Sequence, residues 1–123
     1  MPLVKICGES YDTDTTIKLD ISGKNLKSLP PELLKFTNLF ELDCSNNQIT
    51  SLDNLPPNLE KLDCSNNYLQ HLNVPPKLKY LYCEYNSITR LDNIPFRIIR
   101  IICNNNKFSF WYNMYLNIRY FYC

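Results

Sequence analysis

The amino-acid sequence predicts an α/β-type solenoid that is mostly β, with one parallel sheet on its concave face and largely extended, proline-rich returns on its convex face. The first observation is a set of four cysteines at spacings of 20, 19 and 20 residues. Self-similarity at such a period is typical of a solenoid, because each copy must stack on its neighbours to bury its apolar side. These cysteines are Cys44, Cys64, Cys83 and Cys103.

The second observation is that polar and apolar residues alternate around each cysteine, as in Glu41-Leu42-Asp43-Cys44-Ser45. This period of two indicates a short strand with one buried face. Strands joined by returns of about fourteen residues must lie parallel, so they form one sheet. An asparagine follows each cysteine by three residues, where its amide can satisfy the backbone of a turn. The predicted strands are Leu42 to Ser45, Leu62 to Ser65, Leu81 to Glu84 and Ile101 to Asn104.

The third observation is the composition of the returns. The segment from Pro30 to Phe36 has proline at its start and apolar residues at helical spacing, so it predicts one short helix. Later returns contain Pro56-Pro57, Pro75-Pro76 and Pro95-Phe96. Proline opposes a regular helix and favours extended backbone, so the convex side should be mostly extended.

In register, one copy reads Leu39-x-x-Leu42-x-Cys44-x-x-Asn47-x-Ile49. It resembles the leucine-rich repeat family, with the pattern L-x-x-L-x-L-x-x-N-x-L, and in particular the short repeats of bacterial effectors and large DNA viruses. The resemblance implies a right-handed coil that recognises another protein. Cysteine stands in place of the third leucine, and Lys24 stands where the first copy should have asparagine, so the first corner should be the least regular.

The resemblance extends over residues 16–123 as about five repeats and a truncated sixth, preceded by an N-terminal cap segment at 1–15. Adding 20 to Ile98, Ile101 and Cys103 gives Ile118, Phe121 and Cys123, where the sixth copy stops. An array without a visible cap predicts either a fragment of a longer protein or a free edge for self-association. A larger enzyme, such as a ubiquitin ligase effector that uses these repeats to recognise its substrate, remains the alternative.

Composition limits the classes of function. The net charge is +1 and there is no basic stripe, which argues against nucleic-acid binding. No segment has the pattern of a secretory signal or a membrane span, so an intracellular, cytoplasmic protein is expected, in the host cytoplasm if it is an effector or viral protein.

Catalytic and cofactor motifs are also missing from the sequence. His71 is the only histidine and falls at an outward position. The four repeat cysteines should be buried free thiols, since their spacing does not fit a zinc site and cysteine packs as a small hydrophobe. We therefore expect no enzyme activity, metal or cofactor.

Two columns of side chains should face outward from the sheet. At the third repeat position, Lys18, Glu41 and Lys61 alternate in charge and favour cross-strand pairs. At the fifth position, Asp43 and Asp63 follow Asp20. Three neighbouring carboxylates suggest a cation site, a glycosidase acid pair or recognition of a basic partner. The simpler interpretation is a repeat feature in which serine hydroxyls donate to the aspartates.

The later copies replace these residues with a different set. Exposed aromatic residues beside an arginine have the composition of protein-binding hot spots. Strand preference alone is the alternative, since tyrosine also favours sheets. The predicted partner-binding residues of this part are Tyr80, Tyr82, Tyr85, Arg100 and Ile102, and Asp43 and Asp63 of the earlier copies complete the predicted surface.

Overall fold

The computed structural model describes residues 2–108 and 119–123. Among these residues, six short strands, β3 to β8, form one parallel sheet in sequence order, so the predicted solenoid and its single sheet are confirmed. The strands are β3 (Lys18–Asp20), β4 (Glu41–Asp43), β5 (Lys61–Asp63), β6 (Tyr80–Tyr82), β7 (Arg100–Ile102) and β8 (Tyr120–Tyr122).

The strands begin one residue earlier than predicted and end two residues earlier. Each starts early because a backbone N–H just before the buried leucine already donates to the preceding coil, as Glu41 N does to Ile17 O at 3.2 Å. Hydrogen bonds also continue beyond the strand end, since Cys44 N donates to Asp63 O at 2.9 Å. The predicted ends therefore lie in the turn that follows, where Asn46 has a positive φ of 56°.

The central residue of each strand points into the core, and the copies are in register. Leu42 pairs with Leu62, which pairs with Leu81 and then with Ile101. These four side chains are at most 1% exposed. Phe121 of β8 pairs with Ile101, which confirms the strand of the sixth copy. Ile118, the other leading residue expected in the sixth copy, lies outside the described residues.

The returns follow the predicted division between one helix and extended backbone. Pro31–Lys35 forms a 3₁₀ helix that buries Leu33. The later returns through Pro56, Pro75 and Pro95 contain no helix. Proline removes a backbone donor and fixes φ, which explains why these returns are turns and extended chain.

A hairpin precedes the repeats and was not predicted. Strand β1 (Leu3–Ile6) pairs antiparallel with β2 (Glu9–Asp12). Cys7 and Gly8 join them with φ of 52° and 85°, as a two-residue hairpin turn with both angles positive requires. Ile6 is 1% exposed and belongs to the same core as the repeats.

Asparagine amides connect consecutive coils. Asn67 Nδ2 donates to Cys64 O in its own coil and to Cys44 O in the preceding coil, both at 3.1 Å. Its Oδ1 accepts from Ile49 N at 2.9 Å. The same pattern recurs at the equivalent positions Asn47, Asn86 and Asn106. The predicted role of these asparagines at the corners is thus confirmed.

Candidate functional site

The candidate site is the concave face of the sheet, which is formed by the first and third residues of each strand. In β4 to β7 these residues are half-buried, and the leucine or isoleucine between them is buried. Because side chains alternate along a strand, one fully inward residue places both of its neighbours on the opposite face. Parallel pairing in register then aligns these neighbours in columns across the sheet.

The column at the third repeat position begins with a chain of ion pairs. Glu41 lies between Lys18 and Lys61, with carboxylate-to-ammonium distances of 3.4 and 3.3 Å. Burial opposes ionisation of Glu41, but hydrogen bonds and charge from the two lysines outweigh it, so the pKa of Glu41 is lowered. The predicted cross-strand pairs are present. Since each of the three charged groups already has an ion-pair partner, these pairs connect neighbouring strands more than they offer binding groups.

The column at the fifth position carries the carboxylates. Asp43 Oδ1 accepts from both the backbone N–H and the hydroxyl of Ser45, at 3.0 and 2.6 Å. Asp63 makes the same two bonds with Ser65. The expected donation from serine is therefore present. We call Asp20, Asp43 and Asp63 on β3 to β5 the acidic half of the concave face.

A side-chain hydrogen bond and a backbone hydrogen bond from Ser22 lower the pKa of Asp20, so this carboxylate stays ionised. Within the part of the chain that the structure describes, no three His, Cys, Asp or Glu side chains are grouped as a metal site would require. The carboxylates of the acidic half thus close turns at the strand ends and supply negative charge to the face.

The aromatic half of the concave face comprises the five residues predicted on β6, β7 and their turns: Tyr80, Tyr82, Tyr85, Arg100 and Ile102. Four of them are half-buried on the strands, and Tyr85 is 55% exposed. Tyr80 pairs with Arg100 and Tyr82 with Ile102 across the sheet. Parallel pairing therefore aligns the four strand residues on one surface, next to Asp63, which pairs with Tyr82, and Tyr85 lies in the turn three residues after Tyr82.

Sequence reasoning missed the continuation of this surface onto β8. Tyr120 and Tyr122 are 40% and 55% exposed and pair with Arg100 and Ile102. The guanidinium carbon of Arg100 lies 4.8 Å from the centre of the Tyr120 ring, which is a cation–π contact. This continuation could have been predicted from the sequence, because a shift of 20 residues from Arg100 and Ile102 gives Tyr120 and Tyr122.

Tyr85 has an unusual backbone conformation. Its φ is 56°, and the equivalent residues of the neighbouring coils are Asn46, Asn66 and Asn105, with φ between 53° and 58°. Asparagine tolerates this left-handed region, whereas a bulky side chain there is a genuine outlier. The ring is also exposed, so packing does not explain why tyrosine is present.

Two polar atoms, one in the aromatic half and one next to it, lack hydrogen-bond partners. Among buried side-chain atoms of the described residues, Glu84 Oε2 and Arg100 Nε make no hydrogen bond. Burial, followed by the nearby charge of Asp63, raises the pKa of Glu84. Unsatisfied buried polar groups are rare in native proteins and call for an explanation. Arg100 lies on β7, and Glu84 lies two residues after the end of β6.

A shallow depression marks the junction of the two halves. It encloses about 160 Å³ and is lined by Glu41, Asp43, Lys61, Asp63 and Tyr82 among others. The ammonium of Lys61 lies 5.9 Å from the centre of the Tyr82 ring. A space of this size accommodates a side chain of a partner and is too small for most cofactors.

The repeat cysteines fall into two groups. Cys44, Cys64 and Cys83 are buried free thiols, as predicted. Burial raises the pKa of each, with a further rise from neighbouring charges. The prediction was wrong for Cys103, which forms a disulfide with Cys123. Parallel β7 and β8 place these two cysteines at equivalent positions of adjacent coils.

Cys7 and His71 lie outside the concave face. Cys7 lies in the hairpin turn and is an exposed free cysteine. His71 is exposed, as predicted, on the loop after the second asparagine corner, Asn67. No helix within residues 2–108 or 119–123 has the length and apolar character needed to cross a membrane.

Comparisons with known proteins agree with this geometry. A family model described as "Leucine Rich repeats (2 copies)" matches residues 37–74. The solved structure titled "Structure of Shigella effector LRR domain" has a TM-score of 0.78 and 27% sequence identity to this chain. The similarity covers 86% of this chain and 48% of that chain, so the protein spans about half the length of that structure.

A search of curated protein sequences finds no match. The repeat register and the coil geometry make the chain a mostly-β solenoid with one parallel sheet, and the two similarities show that it resembles leucine-rich repeat proteins, among them the repeat domain of a bacterial effector.

Proposed function

We propose that the protein is a non-enzymatic interaction module that binds a partner protein on its concave sheet. Leucine-rich repeat folds generally serve as scaffolds for interaction, which supports this class of function. Within it, we assign the centre of the interface to the aromatic half, with the acidic half as the flanking surface that selects a partner by charge.

The observation that carries the proposal is Tyr85. A tyrosine at φ 56° is less stable than the asparagine that the neighbouring coils have there, and its ring is exposed. Strained residues cluster at binding sites, where the strain is tolerated because the residue has a role. A tyrosine suits that role because it offers a large contact area with little loss of rotamer entropy.

The unpaired groups of Glu84 and Arg100 support the same location. A buried polar atom without a partner costs about 1–3 kcal/mol. A bound protein that supplied a donor to Glu84 and an acceptor to Arg100 would recover that free energy. Neither the acidic half nor the ion-paired column offers a comparable gain, since its charged groups already have partners.

The test compares one residue from each half. The partner is recovered with the wild-type protein, and its affinity is then measured for Tyr82→Ala and Asp43→Ala. Truncation of an interface anchor costs at least about 2 kcal/mol, or roughly 30-fold in affinity. We expect that loss for Tyr82→Ala and a smaller one for Asp43→Ala, with both variants folded. Wild-type affinity in Tyr82→Ala would place the interface elsewhere.

A second candidate is that the repeats are the substrate-recognition part of a larger enzyme. The similarity to a bacterial effector domain, of which this chain covers 48%, supports it. The same concave face would then bind the substrate, and the catalytic unit would lie outside residues 1–123. An intracellular location remains part of both proposals.

A further inference from the structure

The convex face carries one residue that breaks its own repeat. In the second and third returns, a buried proline is followed by an exposed one, at Pro57 and Pro76. In the next return Phe96 takes the place of the exposed proline, and its side chain is 80% exposed. Phe96 is the most exposed of the large hydrophobic residues among those described. An apolar ring at this level of exposure calls for a reason other than packing.

Phe96 borders a groove between two consecutive returns. The groove has a volume of about 450 Å³, which lies within the range of ligand sites. Its apolar wall is built from Val74, Pro76, Pro95 and Phe96. Proline rings and a fixed backbone make this wall rigid, so little conformational entropy is lost when it binds a ligand.

The rim of the groove is positively charged, with Lys77 and Arg97 on opposite returns. Lys77 Nζ donates to the neutral Asn58 Oδ1 at 2.9 Å, and Arg97 makes no ion pair with the described residues. Nearby Lys79, by contrast, pairs with Glu60 at 3.3 Å. Neither cation at the groove therefore forms an ion pair with a carboxylate of the residues that the structure describes.

The preceding pair of returns offers an internal comparison. The equivalent groove there has a volume of about 370 Å³ and contains Asp53 but no lysine or arginine. Pro76 borders that groove where Phe96 borders the later one. The aromatic ring and the two cations thus occur together at one groove and are not a general property of the convex face.

We propose that this groove is a second binding site, distinct from the concave face, for a peptide segment with a large apolar residue flanked by acidic residues. The apolar residue would enter the groove against Phe96, and its neighbouring carboxylates would pair with Lys77 and Arg97. Arginine suits this role because its guanidinium binds a carboxylate through two parallel hydrogen bonds. Because the groove is a depression in the convex face, it suits an inserted side chain of a peptide better than the surface of a lipid bilayer.

The test is a fluorescence anisotropy titration with a labelled peptide that has a Leu-Phe pair between two pairs of glutamates. Two further peptides replace either the Leu-Phe pair with alanines or the glutamates with lysines. We expect the first peptide to bind at least about tenfold more tightly than either control, because both the apolar and the ionic contacts are required. Phe96→Ala and Arg97→Glu should each weaken it at least about tenfold.

Control variants separate the groove from net charge and from the concave face. Lys35→Glu makes the same charge change at an exposed residue of the 3₁₀ helix, and it should alter the affinity less than about twofold. Tyr82→Ala should bind the peptide with wild-type affinity, because Tyr82 does not line the groove. The groove proposal can therefore be wrong while the concave interface is right, and the concave interface can be wrong while the groove proposal is right.

Three results would overturn the proposal. Equal weakening by Lys35→Glu and Arg97→Glu would mean that the peptide responds only to net charge. Loss of binding in Tyr82→Ala would place the peptide on the concave face. Tight binding to vesicles of phosphatidylserine and phosphatidylcholine, lost in Phe96→Ala while the acidic peptide fails to bind, would make the groove a membrane contact.

Discussion

The asparagine that follows each repeat cysteine shows how one residue type holds two coils together. Asn67 is 5% exposed and bonds to four backbone groups, two of which belong to the preceding coil. Its effect on stability arises mainly from the groups that would be left without partners. Loss of a partner leaves a buried backbone group unsatisfied, at about 1–3 kcal/mol for each.

We therefore expect Asn67→Ala to lower the free energy of unfolding by about 1–3 kcal/mol, because Ile49 N would lose its partner, whereas Cys44 O keeps its hydrogen bond from Asn47 Nδ2 at 3.0 Å. Urea denaturation of the variant measures this loss. The matched control is Asn104→Ala, which removes an exposed amide one residue after a repeat cysteine. A similar small loss in both variants would contradict the role assigned to Asn67.

The buried cysteines lead to a prediction about reactivity. Thiolate is the reactive form, and burial raises the pKa of Cys44, Cys64 and Cys83. In the native protein we expect a water-soluble thiol reagent to label Cys7 rapidly and these three slowly. Peptide mass mapping measures each rate, and full unfolding should make all four reactive. Rapid native labelling of Cys64 would show that it is not in the core.

The same burial predicts a pH dependence. The folded protein keeps the proton of Cys64 at a pH where the unfolded chain has lost it, so the unfolded state binds fewer protons. Stability is thus fully present below the unfolded pKa of about 8.5 and falls as pH rises above it.

We expect the free energy of unfolding of the wild type to fall more steeply than that of Cys64→Ala between about pH 9 and 10, by about 1 kcal/mol per pH unit. Urea titrations of both proteins in that range provide the measurement. Parallel curves would show that Cys64 keeps its ordinary pKa in the folded protein.

At the scale of elements, the strands could be predicted well from the sequence because the same pattern of apolar residues recurs in each repeat. Alternation placed Leu42, Leu62 and Leu81 in the core, and the structure confirms all three. Strand ends were displaced by up to two residues, since hydrogen bonding through a turn does not follow side-chain alternation. The returns were predicted correctly because proline restricts backbone conformation directly.

The N-terminal hairpin was missed for a related reason. Residues 3–12 do not contain a copy of the repeat, so register offers no information about them. The turn depends on positive φ at Cys7 and Gly8, and cysteine is not among the residues that mark such turns. The role of this hairpin as a cap remains a proposal.

A central strand should be sensitive to cavity formation. Leu62 is fully buried between two equivalent leucines, so Leu62→Ala should reduce the free energy of unfolding by about 2–5 kcal/mol. Lys61→Ala changes the neighbouring residue, which lies on the concave face, and should reduce the free energy of unfolding by less than about 1 kcal/mol. Thermal and urea denaturation of both variants would test the register, and equal losses would contradict it.

At the scale of the whole molecule, the sheet is a platform whose two halves differ in chemistry. The register allowed both columns to be predicted from sequence, including the five residues of the aromatic half. Two features depended on structure: the extension to Tyr120 and Tyr122, and the left-handed conformation of Tyr85. The second could not be predicted, because tyrosine ordinarily avoids that region and only the turn geometry imposes it.

The left-handed conformation of Tyr85 predicts that one substitution will raise stability and lower the affinity for the partner. Tyr85→Asn restores the residue that the neighbouring coils have and removes the strain. We expect the variant to be more stable than the wild type by about 0.5–1 kcal/mol, since asparagine is favoured in this region. A loss of affinity in this variant cannot then be attributed to unfolding.

The affinity of Tyr85→Asn for the partner recovered with the wild-type protein is the most direct test of the concave interface. If the aromatic half is the centre of that interface, the variant should bind at least about tenfold more weakly than the wild type while it unfolds at a higher urea concentration. Unchanged affinity in a stabilised variant would mean that Tyr85 is strained without a role in binding, and it would contradict the interface proposed for this face.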